Sequence, residues 1–370
     1  MIDQANARIP LDDLDGPRGC QRHEFGELLD FVNFVFRSDQ GRRPSMGGDY
    51  PHLYNEANCE NFRRIRHRGR IVSCVNIYPA LIQWGDAVLK IGAIGGVATD
   101  PKYRHGGLAG LNLSDALDHM VRNGFDLSIL WTGIGDYYGK WGWEDAGVMY
   151  QFDMNRTTLR YLPHAPSGEL LDDPTDDRVL DAVYSLHEAE RRGIVRDRTL
   201  TALMITDRPE YRVKALFVDG QPHAYAVYSM GSRLDIKDYG GDPVSVLGLI
   251  RVICGEFGLS GAQILAPAED GGIVPHLRNA GFPARIRGEG MIAVLNPANI
   301  VKQYGIDDLT IERSHAADGD LDGWCVTYVG QSHTYRPLDF VKLLFGPERP
   351  GGIDHPKLPL PIHYGALDHM

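Results

Sequence analysis

The residue types best suited to chemistry in this chain lie at positions 94–110, where a strand pattern ends and a helix pattern begins. The strand pattern is rich in β-branched residues and stops at Pro101, and the helix pattern begins directly after the adjacent glycines Gly106 and Gly107. Free backbone N–H groups in a tight turn and at a helix N-terminus bind anions, and Arg104 adds a charge-assisted contact. The sequence therefore predicts a pyrophosphate site, although the GxGxxG spacing of a dinucleotide-binding turn is missing.

A second group of chemically useful side chains is the aromatic segment at positions 136–143, Asp-Tyr-Tyr-Gly-Lys-Trp-Gly-Trp. Three of its rings, Tyr137, Trp141 and Trp143, are interpreted as packing residues that cover a sheet or fill a core. The phenol of Tyr138 can pack in the same way, or it can donate a proton to a leaving group. Both roles stay open on the residues alone.

Hydrophobic periodicity predicts the elements that position these residues. A helical stripe covers residues 25–36 and three strands fill residues 62–99. A helix then follows the two glycines and ends at Gly124, and residues 126–132 form a buried strand. A strand, a helix and a strand in this order predict a parallel pair with a right-handed crossover.

Two further stretches follow along the chain. Residues 183–266 repeat the order of strands and helix, but only Gly-Gly-Asp-Pro at positions 240–243 stands where the pyrophosphate turn would be. From about Gly290 the pattern changes to a smaller mixture of strands and helices with a proline-rich tail. We interpret the second stretch as a duplicate of the first that has lost its anion site.

Composition and charge limit the classes of function. The chain has 370 residues, 43% hydrophobic and 24% charged, which is typical of a soluble globular protein with two or three domains. A formal net charge of −11 argues against nucleic acid as a partner, and no apolar run is long enough for a membrane. The five widely spaced cysteines indicate free thiols in a reducing cytoplasm.

The pyrophosphate turn resembles the coenzyme A loop of the GNAT acetyltransferases, written Arg/Gln-x-x-Gly-x-Gly/Ala, over residues 104–109. The aromatic segment resembles the Tyr-Gly-x-Phe-Gly-Tyr segment of the same family, in which the residue matched by Tyr138 is the general acid. The resemblance implies that acetyl-CoA binds with its pyrophosphate in the loop and its pantetheine arm along the preceding strand. The residues implied for this cosubstrate are Val97, Ala98, Thr99, Arg104, His105, Gly106, Gly107, Leu108 and Ala109.

The order of the three stretches resembles the enhanced intracellular survival (Eis) acetyltransferases. This resemblance implies the α/β (α+β) fold class, with tandem GNAT-like mixed-sheet domains at residues 1–152 and 153–289 and a small α+β, sterol-carrier-like domain at residues 290–370. It also implies a homo-oligomer and a C-terminal carboxylate that enters the active site of the first domain. The carboxylate of Met370 would then stand near Tyr138 and accept the proton of the amine, directly or through water.

This sequence departs from the family pattern in two places. His105 and Gly106 replace basic residues of the loop, so Arg104 is the main side-chain support for the pyrophosphate. Gly95 and Gly96 stand where an aromatic residue often lines the acceptor pocket. The polycationic aminoglycosides accepted by known relatives are therefore not carried over to this chain.

Five arginines crowd the first of the three strands and its turn. Because they alternate with apolar positions around a hairpin, we interpret them as a solvated strand face; the alternative is contact with the terminal phosphate of the coenzyme. They are Arg63, Arg64, Arg66, Arg68 and Arg70.

Together these observations predict a cytoplasmic, acetyl-CoA-dependent N-acetyltransferase that acts on a primary amine of a small acceptor by direct attack in a ternary complex. The alternatives are a lipid- or ligand-binding protein and a coenzyme A-sensing protein with vestigial transferase activity. No metal is expected, because the histidines and aspartates of the tail fit no common ligand spacing. A serine hydrolase is unsupported, since no Gly-x-Ser-x-Gly segment occurs.

Overall fold

The computed structural model describes residues 13–206, 208, 210–314 and 323–369, and their strands form three sheets. The strands in chain order are β1 (Leu14–Gly19), β2 (Phe62–His67), β3 (Arg70–Trp84), β4 (Ala87–Thr99), β5 (Leu127–Leu130), β6 (Glu144–Ala146), β7 (Met149–Asn155), β8 (Glu169–Leu171), β9 (Arg192–Ile194), β10 (Tyr211–Val218), β11 (Gln221–Met230), β12 (Leu234–Gly241), β13 (Gly261–Pro267), β14 (Ala284–Arg287), β15 (Gly290–Val294), β16 (Leu309–Ser314), β17 (Gly323–Tyr328) and β18 (Gln331–Tyr335). The helices are α1 (Phe25–Phe36), α2 (Met46–Asp49), α3 (Leu108–Arg122), α4 (Gly135–Gly139), α5 (Asp177–Glu190), α6 (Arg198–Thr206), α7 (Pro243–Glu256), α8 (Ile273–Asn279), α9 (Pro297–Gln303) and α10 (Pro337–Phe345).

The first sheet has the strand order β1-β2-β3-β4-β5-β15-β6, and β9 pairs with the far end of β3. Strands β4 and β5 are parallel and are connected by α3, which confirms the predicted parallel pair. Strand β15 enters between β5 and β6 and is antiparallel to both. A segment from late in the chain therefore completes the first sheet.

Helices cover both faces of this sheet because their apolar residues recur every three or four positions. On one face α1 buries Leu28 and Val32 in a core that extends to the third sheet and α10. On the other face α3 buries Leu113, Ala116 and Met120 against β3, β4 and β5. The helix on this second face begins at the predicted pyrophosphate turn.

The second sheet has the order β14-β7-β13-β12-β11-β10-β8, and the third consists of β16, β17 and β18. In the second sheet β12 and β13 are parallel and α7 connects them, as α3 connects β4 and β5 in the first. The mixed α/β fold class with two similar sheet units is therefore confirmed.

Two strands bear on the expected domain boundaries. Strand β7 runs across residue 152 as part of the second sheet, and residues 290–294 lie in the first sheet rather than with the strands that follow them. The division into three domains at residues 152 and 289, and the sterol-carrier-like character of the last one, stay predictions.

The interpretation of the arginine cluster as a solvated strand face is wrong for its first members. Arg64 is completely buried and its guanidinium lies 2.6 Å from the carboxylate of Glu24, which is itself buried. Arg63 is also buried and lies 2.6 Å from the carboxylate of Asp115 on α3. The reason is that β2 is covered on both faces: Arg63 packs against α3, and Arg64 against Glu24, the residue before α1.

All five cysteines are free, and four of them are buried. Within the described part of the chain, no helix combines the length and apolar character needed to cross a membrane.

Candidate active site

The two parallel strands of the first sheet separate toward their C-terminal ends. Pairing between β4 and β5 begins with Ile91 and Leu127 and ends with Ala93 and Ile129. In the described structure, residues 94–99 of β4 then have no strand partner on that side, while β5 stays paired with β15. A free strand edge can take up an extended, peptide-like ligand as an added strand.

A β-bulge shapes this free edge. The register between β3 and β4 shifts between Cys74 and Asn76, where β4 has one extra residue. Gly96 in the bulge has φ of +57°, and a side chain there would collide with the Tyr54 hydroxyl and the Asn76 amide. That amide donates to the carbonyl of Gly96 at 3.3 Å. The backbone at position 96 therefore requires glycine, which explains why no aromatic residue stands there. Bulges of this kind change the direction of strands beside active sites.

The turn between β4 and α3 leaves the beginning of the helix open. Arg104 donates through Nε to the carbonyl of Thr99 at 3.3 Å, which holds its side chain beside the end of β4. His105 and Gly107 have φ of +67° and +83°, and none of the described side chains caps the N-terminus of α3. The first N–H groups of the helix are therefore free to bind an anion.

The corresponding helix of the second sheet, α7, has a closed N-terminus. The carboxylate of Asp242 accepts from the backbone N–H of Ser245 at 2.8 Å and from its hydroxyl at 2.7 Å. A carboxylate in this place occupies the anion position and repels a phosphate. The two sheets thus share an arrangement of strands and helix, but only α3 of this pair presents an open helix end.

A cavity of about 300 Å³ joins the free edge of β4 to the start of α3. The structure brings five of the predicted site residues to its wall: Val97, Thr99, Arg104, Ala109 and Tyr138. The rest of the wall comes from the end of α1 and the turn after it, and from α4 and the residue before it, with Val35, Phe36, Gln40, Ile134 and Tyr137.

The other predicted cosubstrate residues do not line this cavity. Ala98 is buried on the opposite face of β4, where its carbonyl accepts from the hydroxyl of Ser73 at 3.1 Å. Leu108 packs beneath the loop against Ile65 and Val72. His105, Gly106 and Gly107 form the turn itself, so any contribution they make comes through the backbone.

Tyr138 lies in the short helix α4 with its ring packed edge-on against two other aromatic rings. The ring centroids are 5.2 Å from that of Tyr137 and 6.3 Å from that of Trp143. Among the described residues, the hydroxyl of Tyr138 has no hydrogen-bond partner. Burial, helped by Tyr137, raises the pKa of Tyr138 to about 12, so the phenol keeps its proton at neutral pH. The position allows both packing and proton donation.

Met370 lies outside the described residues, but the segment before it is held in the cleft between the first and second sheets. The carbonyl of His369 accepts from Nη2 of Arg208 at 2.7 Å. The rings of His369 and Tyr364 pack on Trp131, with centroids 4.0 and 4.6 Å away. Trp131 follows β5 directly, so the tail contacts the residue just beyond the C-terminal end of β5.

A buried charge cluster anchors the same tail. The Arg196 guanidinium lies 2.8 Å from the carboxylate of Asp238 on β12 and 3.3 Å from that of Asp368 in the tail. Burial raises the pKa of Asp368 to about 7 although Arg196 opposes the shift. Burial acts in the same direction on Asp238, but Arg196 and His187 outweigh it and hold its pKa below the ordinary value. Asp238 is therefore the ionised partner of Arg196 at neutral pH.

A second cavity, of about 230 Å³, lies beneath the tail. Buried polar atoms without a partner among the described residues face this region, including Nε and Nη1 of Arg196, the Tyr364 hydroxyl and Nε2 of His369. Their mixture of donors and acceptors suits water molecules. No group of three His, Cys, Asp or Glu side chains in the described structure is placed to hold a metal ion.

Sequence reasoning misses three residues that shape this region: Trp131, Arg196 and Arg208. Trp131 could have been found from the sequence, because it directly follows a buried strand and functional sites are often built at strand ends. The two arginines could not, since their tail partners are more than 160 residues away in the chain.

Known proteins resemble this chain in sequence over its first part and in structure over most of its length. Residues 17–146 match the family model of the acetyltransferase (GNAT) domain. No curated protein is significantly similar in sequence. Among solved structures, the chain resembles Eis1 from Mycobacterium abscessus with a TM-score of 0.62 and 12% identity, over 90% of each chain.

Two further structures are GCN5-related N-acetyltransferases. The one from Anabaena variabilis has a TM-score of 0.64 and 15% identity, over 86% of this chain and 84% of that one. The one from Kribbella flavida has a TM-score of 0.60 and 14% identity, over 93% and 86%. At these identities the likeness establishes a shared fold, while the family model establishes the domain. Residues 17–146 therefore form a GNAT acetyltransferase domain, and the chain that carries it is an acyltransferase with the fold of Eis1.

Proposed function

We propose that this protein transfers the acetyl group of acetyl-CoA to a primary amine of a small acceptor by direct attack in a ternary complex. The observation that supports this best is the 300 Å³ cavity, because the open end of α3, the free edge of β4 and Tyr138 meet there. An acyl-CoA needs these three parts: an anion site for its pyrophosphate, a strand edge for its pantetheine arm and a proton donor for its sulfur.

In this proposal the free N–H groups of α3 and the guanidinium of Arg104 hold the pyrophosphate. Gly106 and Gly107 allow the backbone to approach it closely, since neither carries a side chain. The amides of the pantetheine arm pair with the backbone of residues 97–99. The thioester then lies in the gap between β4 and β5.

The reaction follows from this placement. The amine nitrogen bonds to the thioester carbonyl carbon, and the carbon–sulfur bond breaks as the tetrahedral intermediate collapses. The Tyr138 hydroxyl gives its proton to the departing sulfur and is reprotonated by solvent. The carboxylate of Met370 accepts the proton lost by the amine, directly or through a water molecule. Because thioesters are already reactive, positioning supplies much of the rate acceleration.

The cavity is assigned to acetyl-CoA in this proposal, so its wall does not select the acceptor. We propose a small acceptor with a primary amine, and polycationic amines belong in the panel that tests it.

A coupled thiol-release assay with acetyl-CoA and a broad panel of amines tests the proposal. We expect thiol release well above the rate of acetyl-CoA hydrolysis with at least one amine, and an acetylated product of matching mass. Stabilisation by acetyl-CoA without turnover on any amine would favour a coenzyme A sensor. Stabilisation by fatty acids or sterols but not by acetyl-CoA would favour a lipid-binding protein.

The organisation of the whole chain is part of the proposal. We propose three domains at residues 1–152, 153–289 and 290–370, the last of them sterol-carrier-like, and a cytoplasmic homo-oligomer. The three-stranded sheet with α9 and α10 supports a small α+β unit at the C-terminus. Light scattering after size exclusion tests the assembly, and the mass of a monomer would contradict it.

A further inference from the structure

We infer that the end of the β2–β3 hairpin binds the 3′-phosphate of coenzyme A, through Arg70 at the start of β3 and Arg68 in the turn. This inference rests on the proposed function, because a pyrophosphate bound at the open end of α3 brings the 3′-phosphate to this place. The hairpin then distinguishes acetyl-CoA from its dephospho form, which lacks only that phosphate.

The structure divides the arginine cluster of this hairpin into two groups. Arg63, Arg64 and Arg66 have carboxylate partners at 2.6, 2.6 and 2.8 Å. Arg68 and Arg70 are exposed, and within the described residues the structure records no ion pair for either of them. Two unpaired positive charges therefore lie at the end of the hairpin, in a protein whose formal net charge is −11.

Strand pairing shows on which face of the sheet Arg70 lies. Arg70 pairs directly with His67, and directly paired residues share a face. The ring of His67 lies 5.5 Å from that of Tyr103 in the turn before α3, and its Nδ1 is 3.0 Å from the Tyr103 hydroxyl. Val72, two residues after Arg70, packs against Leu108 at the start of α3. Arg70 therefore lies on the face that α3 covers, at the end where that helix begins.

The turn between β4 and α3 is fixed against the same hairpin. The backbone N–H of Asp100 donates to the carbonyl of Val72 at 2.9 Å, directly after the pair formed by Ser73 and Thr99. Lys102 in this turn is exposed and, in the described part of the chain, has no recorded ion pair; its backbone N–H donates to the Asp100 carboxylate at 2.9 Å. The hairpin and the turn thus bring unpaired cations together beside the open end of α3.

The chemistry of the coenzyme matches this arrangement. Its 3′-phosphate is a monoester with a charge of about −1.5 to −2 at neutral pH, and a guanidinium binds such a group through paired N–H donors. Only the ribose separates this phosphate from the pyrophosphate. In the proposed complex the pantetheine arm leads from the pyrophosphate into the cavity, so the ribose leads outward to the surface on which the hairpin ends.

Titration calorimetry of the full-length protein with acetyl-CoA and with acetyl-dephospho-CoA tests the inference. We expect the parent protein to bind acetyl-CoA roughly tenfold more tightly, the sum of two exposed charge contacts. This preference should shrink at high salt, because exposed charges are screened. Equal affinity of the parent protein for the two ligands at low salt would overturn the inference.

Two variants assign the preference to residues. Arg70→Gln removes a charge from an exposed side chain, and Arg68→Asn suits the φ of +51° at that position. Each should weaken acetyl-CoA binding roughly three- to fivefold and leave the affinity for acetyl-dephospho-CoA unchanged. Arg212→Gln, at an exposed arginine of β10, is the matched control and should behave like the parent protein with both ligands. Equal weakening of both ligands would show a disturbed turn and contradict the phosphate contact.

The same titrations separate failure of this inference from failure of the proposed function. If the parent protein binds both ligands equally well, the coenzyme site stands and the inference about the hairpin is wrong. If neither ligand binds, the proposed function fails and the inference fails with it. In the thiol-release assay Arg70→Gln should raise the KM for acetyl-CoA and leave kcat unchanged, because the 3′-phosphate is remote from the thioester. A lower kcat with an unchanged KM would contradict the inference.

Discussion

Burial raises the pKa of Tyr138 in the proposed reaction cavity and of Asp368 in the C-terminal tail, and the two shifts have different consequences. Tyr138, with a pKa of about 12, holds its proton at every pH at which the protein is used and is always ready as an acid. Asp368, with a pKa of about 7, changes its charge in the physiological range. The first shift serves the chemistry, whereas the second makes the anchoring of the tail depend on pH.

Replacing Tyr138 by Phe removes the proposed proton donor and keeps the ring that packs against Trp143. We expect kcat to fall roughly 100-fold or more, within the range for a general acid, while the Kd for acetyl-CoA stays the same. In the parent protein, deprotonation of Tyr138 should not lower kcat at any pH below about 10, because the pKa of Tyr138 lies near 12. Tyr137→Phe is the comparison, and it should have a much smaller effect. Full activity of Tyr138→Phe would remove this tyrosine from the mechanism.

The Asp368→Asn variant tests the pH dependence of the tail. The pKa of Asp368 in the folded protein, about 7, is above its ordinary value of 3.8, so protonation favours the folded state. The contribution is fully present below about pH 4 and is lost as the pH rises through about 7. Asp368→Asn imitates the protonated carboxyl and should be more stable than the parent protein at pH 8, by up to about 4 kcal/mol.

Denaturant unfolding of both proteins between pH 4 and pH 8 measures this difference. The two free energies of unfolding should converge toward pH 4. A parent protein that is the more stable one at pH 8 would show that the Arg196 ion pair outweighs burial at Asp368.

At the scale of elements, α3 and α7 show how one arrangement of strand, turn and helix can bind an anion or exclude it. The difference lies at the residue before the helix: Gly107 leaves the N-terminus of α3 open, and Asp242 closes that of α7. Because the remaining geometry is similar, a coenzyme site is a property of this turn and not of the sheet.

The Gly107→Ala variant tests the turn. Gly107 has φ of +83° with open space around it, so the methyl group disturbs the backbone preference and not the packing. Gly220 in the turn between β10 and β11 has φ of +76° and equally open surroundings, which makes Gly220→Ala a matched control. Both variants should lose about 1 kcal/mol of stability. Only Gly107→Ala should also weaken acetyl-CoA binding, roughly tenfold by titration calorimetry; equal affinities would contradict the site.

The helices and most strands could be predicted because their signals are local. The stripe at residues 25–36 and the helix that begins at Leu108 both form where the periodicity indicates. Strand β3 continues past Pro79 to Trp84, although a proline often ends a strand. Pro79 pairs with Gly92 of β4 on one side, but on the other side it lies between the segments paired with β2 and with β9, where it has no strand partner.

At the scale of the whole molecule, the candidate site draws on segments that lie far apart in the sequence. The loop and Tyr138 could be predicted because they lie close together in the chain. The burial of Arg64 and the hydrogen bond from Arg208 to the tail could not be predicted, because their partners are close only in the tertiary structure. Charge and periodicity alone do not show which arginine has a buried carboxylate as its partner.

The dependence of the first sheet on β15 leads to a prediction for a fragment. Residues 1–152 alone contain β5 and β6 but lack the strand that joins them, so the backbone edge of β5 would stay unpaired. We expect this fragment to be aggregation-prone and to lack cooperative unfolding by circular dichroism. Co-expression with residues 290–370 should improve its solubility. A soluble fragment with a cooperative transition would show that the strand is dispensable.

The same strand sets an order of events during synthesis. About 140 residues separate β6 from β15, so a ribosome working at roughly 5–20 residues per second needs on the order of ten seconds to produce the missing strand. Throughout that interval the nascent GNAT domain exposes an unpaired strand edge, while the second sheet unit is already emerging. The acetyltransferase domain of this protein is therefore encoded first but completed late, only after β15 has been synthesised.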